Sequence, residues 1–146
     1  MASVIYNEFK RASAAAEIDL NADDIRAAML MSNTVADTEN DAKVFVADIT
    51  TLDEADATGY ARQALTTEAV NKDDGNDRAA FDADDVVFAS LGGDAARNYV
   101  GVLLYKHVGA DSANPIIAYI EFTTPITSAA TQVTVPWDST GILLFT

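Results

Sequence analysis

Two apolar runs in the last third of the chain constrain its fold more than any other feature. From Tyr99 to Tyr105 the sequence is apolar on both faces of a strand, with Tyr99, Leu103 and Tyr105 alternating with Val100, Val102 and Leu104. A strand with no polar face has no side to give to water, so it belongs in the middle of a sheet with material packed above and below. After a turn-rich connector from His107 to Pro115, the run Ile116 to Phe122 sets Ile116, Ala118, Ile120 and Phe122 against Ile117, Tyr119 and Glu121. The two runs predict an antiparallel pair joined by a long loop. Thr131 to Trp137 then alternates strictly, with Val133, Val135 and Trp137 inward. Pro136 confines that end to a sheet edge or a strand terminus. Trp137 reads as a core anchor before it reads as a ligand platform. Ile142 to Phe145 supplies a last short strand.

Upstream, Val4 to Glu17 places Ile5, Phe9, Ala12 and Ala16 on one helical stripe, predicting an amphipathic helix or arm over residues 1–17. Ile25 to Met31 is short and bounded by turn formers, and reads as a buried strand. Ala42, Phe45, Val46 and Ile49 suggest a short helix between Thr38 and Thr50. Gly59 to Thr66 resembles a strand with Arg62 exposed, and Asn71 to Asp77 a loop. Asp85 to Leu91 is another apolar run, closed by a tight turn at Gly92-Gly93. Short strands at close intervals without long helical crossovers predict one mainly β domain over residues 1–146, an antiparallel sandwich or barrel-like fold with one or two short helices.

Charge narrows the function classes. The chain carries 9 Lys and Arg against 23 Asp and Glu, a formal net charge of −14. Nucleic acid and anionic membranes are disfavoured as partners, because binding them requires clustered cations. No run approaches the roughly 20 apolar residues of a membrane span. The start of the sequence lacks the basic and apolar segments of a secretory signal, so synthesis in a cytoplasm without export by that route is expected. With no Cys there is no thiolate chemistry and no sulfur-based zinc site. The single His107 has only Asp111 and Ser112 nearby, which do not amount to a catalytic triad. The acid clusters at Asp23-Asp24, Asp73 to Asp77 and Asp82 to Asp85 invite a calcium site. The loop ending in Gly75 fails the EF-hand spacing, since Val70 and Lys72 stand where oxygen donors belong. Solvated acidic surface is the expectation, with no cofactor and no enzymatic activity. The acids are also unevenly placed: residues 96–146 hold three acids and two bases, so nearly all the net charge lies in the first 95.

Several segments, in order along nearly the whole chain, carry a resemblance. They are Tyr6-Asn7-Glu8-Phe9-Lys10, Asp24-Ile25-Arg26-Ala27-Ala28-Met29-Leu30, Ala57-Thr58-Gly59-Tyr60-Ala61 and Phe81-Asp82-Ala83-Asp84-Asp85-Val86, followed by Asn114-Pro115-Ile116-Ile117-Ala118-Tyr119-Ile120-Glu121-Phe122 and Val135-Pro136-Trp137. Together they resemble a group of small structural proteins of tailed bacteriophages. The resemblance implies a capsid decoration or cement protein, bound to the major capsid protein on the outer surface of the virion shell, often as a homotrimer. Tyr6, Phe9, Lys10 and Arg11 of the arm, together with the nearly neutral last third, are then the expected contact surface. Another virion position (tail, neck or head fibre) and a calcium- or glycan-binding β-sandwich remain as alternatives. If the acidic loops are solvated surface, calorimetric titration with calcium should give no binding heat and leave the melting temperature unchanged; a rise in melting temperature would reveal a cation site.

Overall fold

The computed structural model describes residues 3–38, 42–91, 97–127 and 131–146, so the expected turn at Gly92-Gly93 lies outside the described residues. The described chain is mainly β, with antiparallel pairing, and consistent with a sandwich. Its elements in order are β1 (Val4–Ile5), α1 (Asn7–Ala14), β2 (Ile25–Met31), β3 (Gln63–Ala64), β4 (Ala69–Asp73), β5 (Arg78–Asp82), β6 (Val86–Phe88), β7 (Tyr99–Lys106), β8 (Ile116–Ile126), β9 (Val133–Val135) and β10 (Leu143–Phe145).

The doubly apolar strand lies where its side chains require. β7 is the middle strand of a five-stranded sheet ordered β1-β8-β7-β2-β3, with β8 on one side and β2 on the other. The two-residue period sorts the side chains between two apolar layers. Ala27, Met29, Val102 and Leu104 face a core closed by Phe81, Val86, Phe88, Val133, Val135 and Leu143 of the smaller sheets and by Phe9 of α1. Ala28, Leu30, Leu103, Tyr105 and Tyr119 face a second layer closed by Tyr6, Ala36, Val46 and Ile49. Each fully buried large side chain contributes about 1.5–3 kcal/mol, more than an exposed ion pair of about 0–1 kcal/mol. The two layers around this sheet therefore dominate stability. Gly101 is required within β7: a Cβ there would lie 2.4 Å from the Ile120 carbonyl oxygen and 2.7 Å from the Tyr119 ring.

Several local expectations change. The arm is not one helix. Val4 and Ile5 pair with Tyr119 and Ala118 as a strand, Tyr6 is extended, and only Asn7–Ala14 is helical. Tertiary pairing and burial decide this, because the Tyr6 hydroxyl donates to the Ala36 carbonyl at 2.6 Å and Tyr6 is fully buried. Among the described residues between Thr38 and Thr50, the helical structure is a single 3-10 turn, Val46–Asp48. The Asp48 carboxylate takes the Val44 and Phe45 N–H groups, and Ile116 N–H donates to the Val44 carbonyl, so the chain pairs with the start of β8 and does not wind into a helix. Three of the seven residues of the loop expected at 71–77 are strand: β4 and β5 form a hairpin closed by Asp74 to Asp77. Between Gly59 and Thr66 only Gln63–Ala64 is strand, and Arg62 is half-buried. β2, β6, β9 and β10 lie within the runs that predicted them.

The end of α1 generates a test. Ala16 adopts a left-handed conformation with φ 56°. Its N–H donates to the Ser13 carbonyl while Glu17 N–H donates to that of Ala12. This is a Schellman ending in which alanine occupies the position that favours glycine. A left-handed alanine costs roughly 1–2 kcal/mol, and glycine adds about 0.4–1 kcal/mol of unfolded-state entropy. Ala16→Gly is therefore expected to raise unfolding free energy by about 0.5–1 kcal/mol in urea denaturation, and a lower value would contradict the assignment.

Candidate functional site

The half-buried polar side chains converge on Arg62. Its Nε and Nη2 donate to both oxygens of Glu54 at 2.7 and 2.6 Å, and its Nη1 and Nη2 to both oxygens of Asp111 at 2.5 and 2.9 Å. Two bidentate carboxylates take four of the five N–H donors of one planar guanidinium, a geometry Lys could not supply. The guanidinium also lies over the Tyr105 ring, 5.1 Å from its centroid. The Tyr60 hydroxyl donates to Glu54 at 2.8 Å and accepts the Met29 N–H at 2.9 Å, fastening the cluster to β2. Arg62 holds the Asp111 carboxyl below its ordinary range, and burial beside Glu54 pushes the Tyr60 hydroxyl up. Both carboxylates are committed to Arg62, so we read the cluster as a strut joining the β2–β3 and β7–β8 connections.

The connector between β7 and β8 is built on Asn114. Its side-chain oxygen accepts the Val108 and Gly109 N–H groups at 2.8 and 3.0 Å, and its amide donates to the Gly109 carbonyl and to Asp111. His107 sits at the mouth of this loop, edge-on to Tyr105, and its Nδ1 is buried without a hydrogen-bond partner. Asp111 is committed to Arg62 and Asn114, so the described residues contain no His107–Asp111–Ser112 relay. Elsewhere the basic side chains likewise serve the chain's own acids. Arg26 holds Asp24, Arg78 holds Asp73, Lys106 holds Asp23, and Arg97 holds Asp53 and Asp56. The three acid clusters are spread through these pairs and turns, and among the described residues no three His, Cys, Asp or Glu side chains gather as a metal cage.

The arm divides its expected contact residues between inside and outside. Tyr6 and Phe9 are buried in the chain's own core at 0% and 1% exposure, which removes them from the surface of this fold. Phe9 packs into the core shared with the smaller sheets, and Tyr6 into the second layer. Lys10 and Arg11 remain exposed. Lys10 donates to Asn7, and Arg11 bridges Glu8 and Glu17 at 2.7 and 2.5 Å.

One apolar concavity lies wholly within the nearly neutral last third. It is a groove of about 300 Å³ between the far half of β8 and the strand-to-turn segment from β9 to Ile142. Ile120, Phe122, Ile126, Trp137 and Ile142 supply its apolar surface, with Glu121 and Asp138 as its ionisable side chains. Trp137 packs partly against the core and lines the groove with the remainder. Its indole N–H donates to the Asp84 carbonyl and its backbone N–H to the Asp85 carboxylate, which fixes the ring. The alternation in β9 placed Trp137 inward, and the groove was not foreseen because it depends on how β8 and β9 meet. No family model, curated protein or solved structure matches the chain.

The Arg62 strut carries a pH signature. A carboxyl with a depressed folded-state pKa contributes stability above its unfolded pKa of about 3.9 and loses it as pH falls through the lower folded value. Arg62→Met should cost about 2 kcal/mol at pH 7, because Glu54 and Asp111 are left facing each other. The gap from the wild type should narrow between pH 5 and 3 as Asp111 protonates. Urea denaturation across that range measures both, and a gap independent of pH would show that Arg62 acts through packing alone.

Proposed function

We propose that this chain is a non-enzymatic virion structural protein that binds the outer surface of a phage capsid shell, as a trimer, and stabilises it. The observation that carries this reading is the segregation of charge from the apolar groove. The acids crowd the first 95 residues, while the groove is built entirely from residues 120 to 142. A protein of net charge −14 can pack in many copies on a shell only if its contacts avoid the acids, because repulsion is screened over about 8 Å in physiological salt. The resemblance of the ordered segments to small phage structural proteins supports the same reading. The tying of Arg62, Arg97 and Lys106 into internal pairs agrees with it, since those cations serve the fold and leave a rigid body for docking. The contact surface in this reading is the groove together with exposed Lys10 and Arg11, and excludes buried Tyr6 and Phe9.

Purified protein mixed with assembled capsid shells should co-sediment at fixed stoichiometry and raise the temperature at which shells rupture. Reversing Lys10 and Arg11 to Glu should lower occupancy while leaving the protein's own melting temperature within a few degrees, because exposed pairs contribute about 0–1 kcal/mol each. Absence of co-sedimentation would overturn the reading, and density for the protein on tails or necks would move it elsewhere in the virion.

A further inference from the structure

We propose that Asp74-Gly75, at the tip of the β4–β5 hairpin, is a site of self-modification, where the main chain reroutes through the aspartate side chain to give isoaspartate. This does not depend on the capsid reading. Asp74-Gly75 is the only Asp-Gly or Asn-Gly pair in the sequence. The hairpin pairs Asp73 with Arg78 as its last ladder step and closes through Asp74 to Asp77, all four exposed. The Asp74 side chain is 74% exposed, and its ion pair with Lys72 is too open to water to hold the carboxyl away from the main chain. Gly75 has no Cβ, so the nitrogen on the far side of the reacting bond is unshielded. Neither residue belongs to either apolar layer, so a change at this tip leaves the packed sheet alone.

The step needs water and no other reagent. The Gly75 nitrogen attacks Asp74 Cγ, the N–H proton and the carboxyl hydroxyl leave together as water, and a cyclic imide joins the two residues. Water then adds to one of the two imide carbonyls. Addition at Cγ restores aspartate. Addition at the α-carbonyl breaks its bond to the Gly75 nitrogen, leaves Cγ as the amide carbon and frees the α-carboxylate. The product carries an extra methylene in the main chain, at a turn whose Asn76 N–H to Asp73 carbonyl bond is already long at 3.2 Å. Rival positions are restrained. Asp111, before Ser112, is held by Arg62, and Asp138, before Ser139, accepts the N–H and hydroxyl of Thr140. Asn76 donates its amide to Asp73 at 2.8 Å and is followed by Asp77, whose side chain crowds the next nitrogen. Asn114 precedes Pro115, which has no N–H to give up.

Full-length protein is kept for weeks at physiological temperature and pH, digested, and read by mass spectrometry with electron-transfer fragmentation, which separates isoaspartate from aspartate at unchanged mass. A parallel assay counts freed α-carboxylates by methyl transfer from S-adenosylmethionine with an isoaspartate-directed carboxyl methyltransferase. The isomer should accumulate at Asp74 in the folded protein, preceded by the imide, which is lighter by one water. It should be lost in Asp74→Glu, which keeps the charge beside Lys72 but must close a larger ring. It should also be lost in Gly75→Val, whose branched side chain shields the nitrogen. Gly75→Val should fold, since a Cβ there meets nothing nearer than the Asp73 Oδ1 at 3.7 Å. The melting temperatures of both variants check this. Isomer found only in chains unfolded by guanidinium would overturn the proposal, by showing that the folded hairpin shields the bond. Accumulation first at Asp111 or Asp138, methyl acceptance explained by deamidation of Asn76, or undiminished isomer in Gly75→Val would overturn it as well.

Discussion

Everything in this molecule is arranged around a sheet that cannot face water on either side. β7 and β2 present apolar side chains above and below, so the chain must supply two covers. The smaller sheets and α1 form one, and Tyr6 with Ala36, Val46 and Ile49 forms the other. Once both faces are occupied, the acids have only the periphery left to them. The separation of charge from core thus follows from the central strand before any functional requirement acts.

That central constraint was legible because it is written locally. The runs at Tyr99 to Tyr105, Ile116 to Phe122 and Thr131 to Trp137 each carry their own period, and the strands lie within or over them. β4 was not legible, because Val70, Asn71 and Lys72 are all exposed and a strand wet on both faces has the composition of a loop. The arm misled for the opposite reason. Of the expected helical stripe only Phe9 and Ala12 are buried helix positions, because Val4 and Ile5 obey a partner more than a hundred residues away, and two of the four expected contact residues, Tyr6 and Phe9, face the chain's own interior. Arg62 and Asp111 are 49 positions apart, with no pattern linking them, so their pairing existed only once the fold brought the loops together.

The ion pairs and the groove divide the work of the surface. The arginine pairs, particularly the doubly bidentate one at Arg62, hold loops against the sheet and neutralise part of the acid load where it is closest to the core. Among the described residues, Glu121, Asp138 and apolar side chains line the groove apart from these pairs, so a change in one need not disturb the other.

The pairing of Val4 and Ile5 with Tyr119 and Ala118 also sets the order of events during synthesis. The second strand of the chain, β2, waits for β7, and the first waits for β8, so the ribosome must deliver most of the polypeptide before the sheet can close. Until then the strands with no polar face are exposed without their neighbours, the state in which β-rich chains fold slowly and aggregate. Most of the acids of the first 95 residues emerge after β2 and before β7. Like charge among nascent chains at that stage opposes their association.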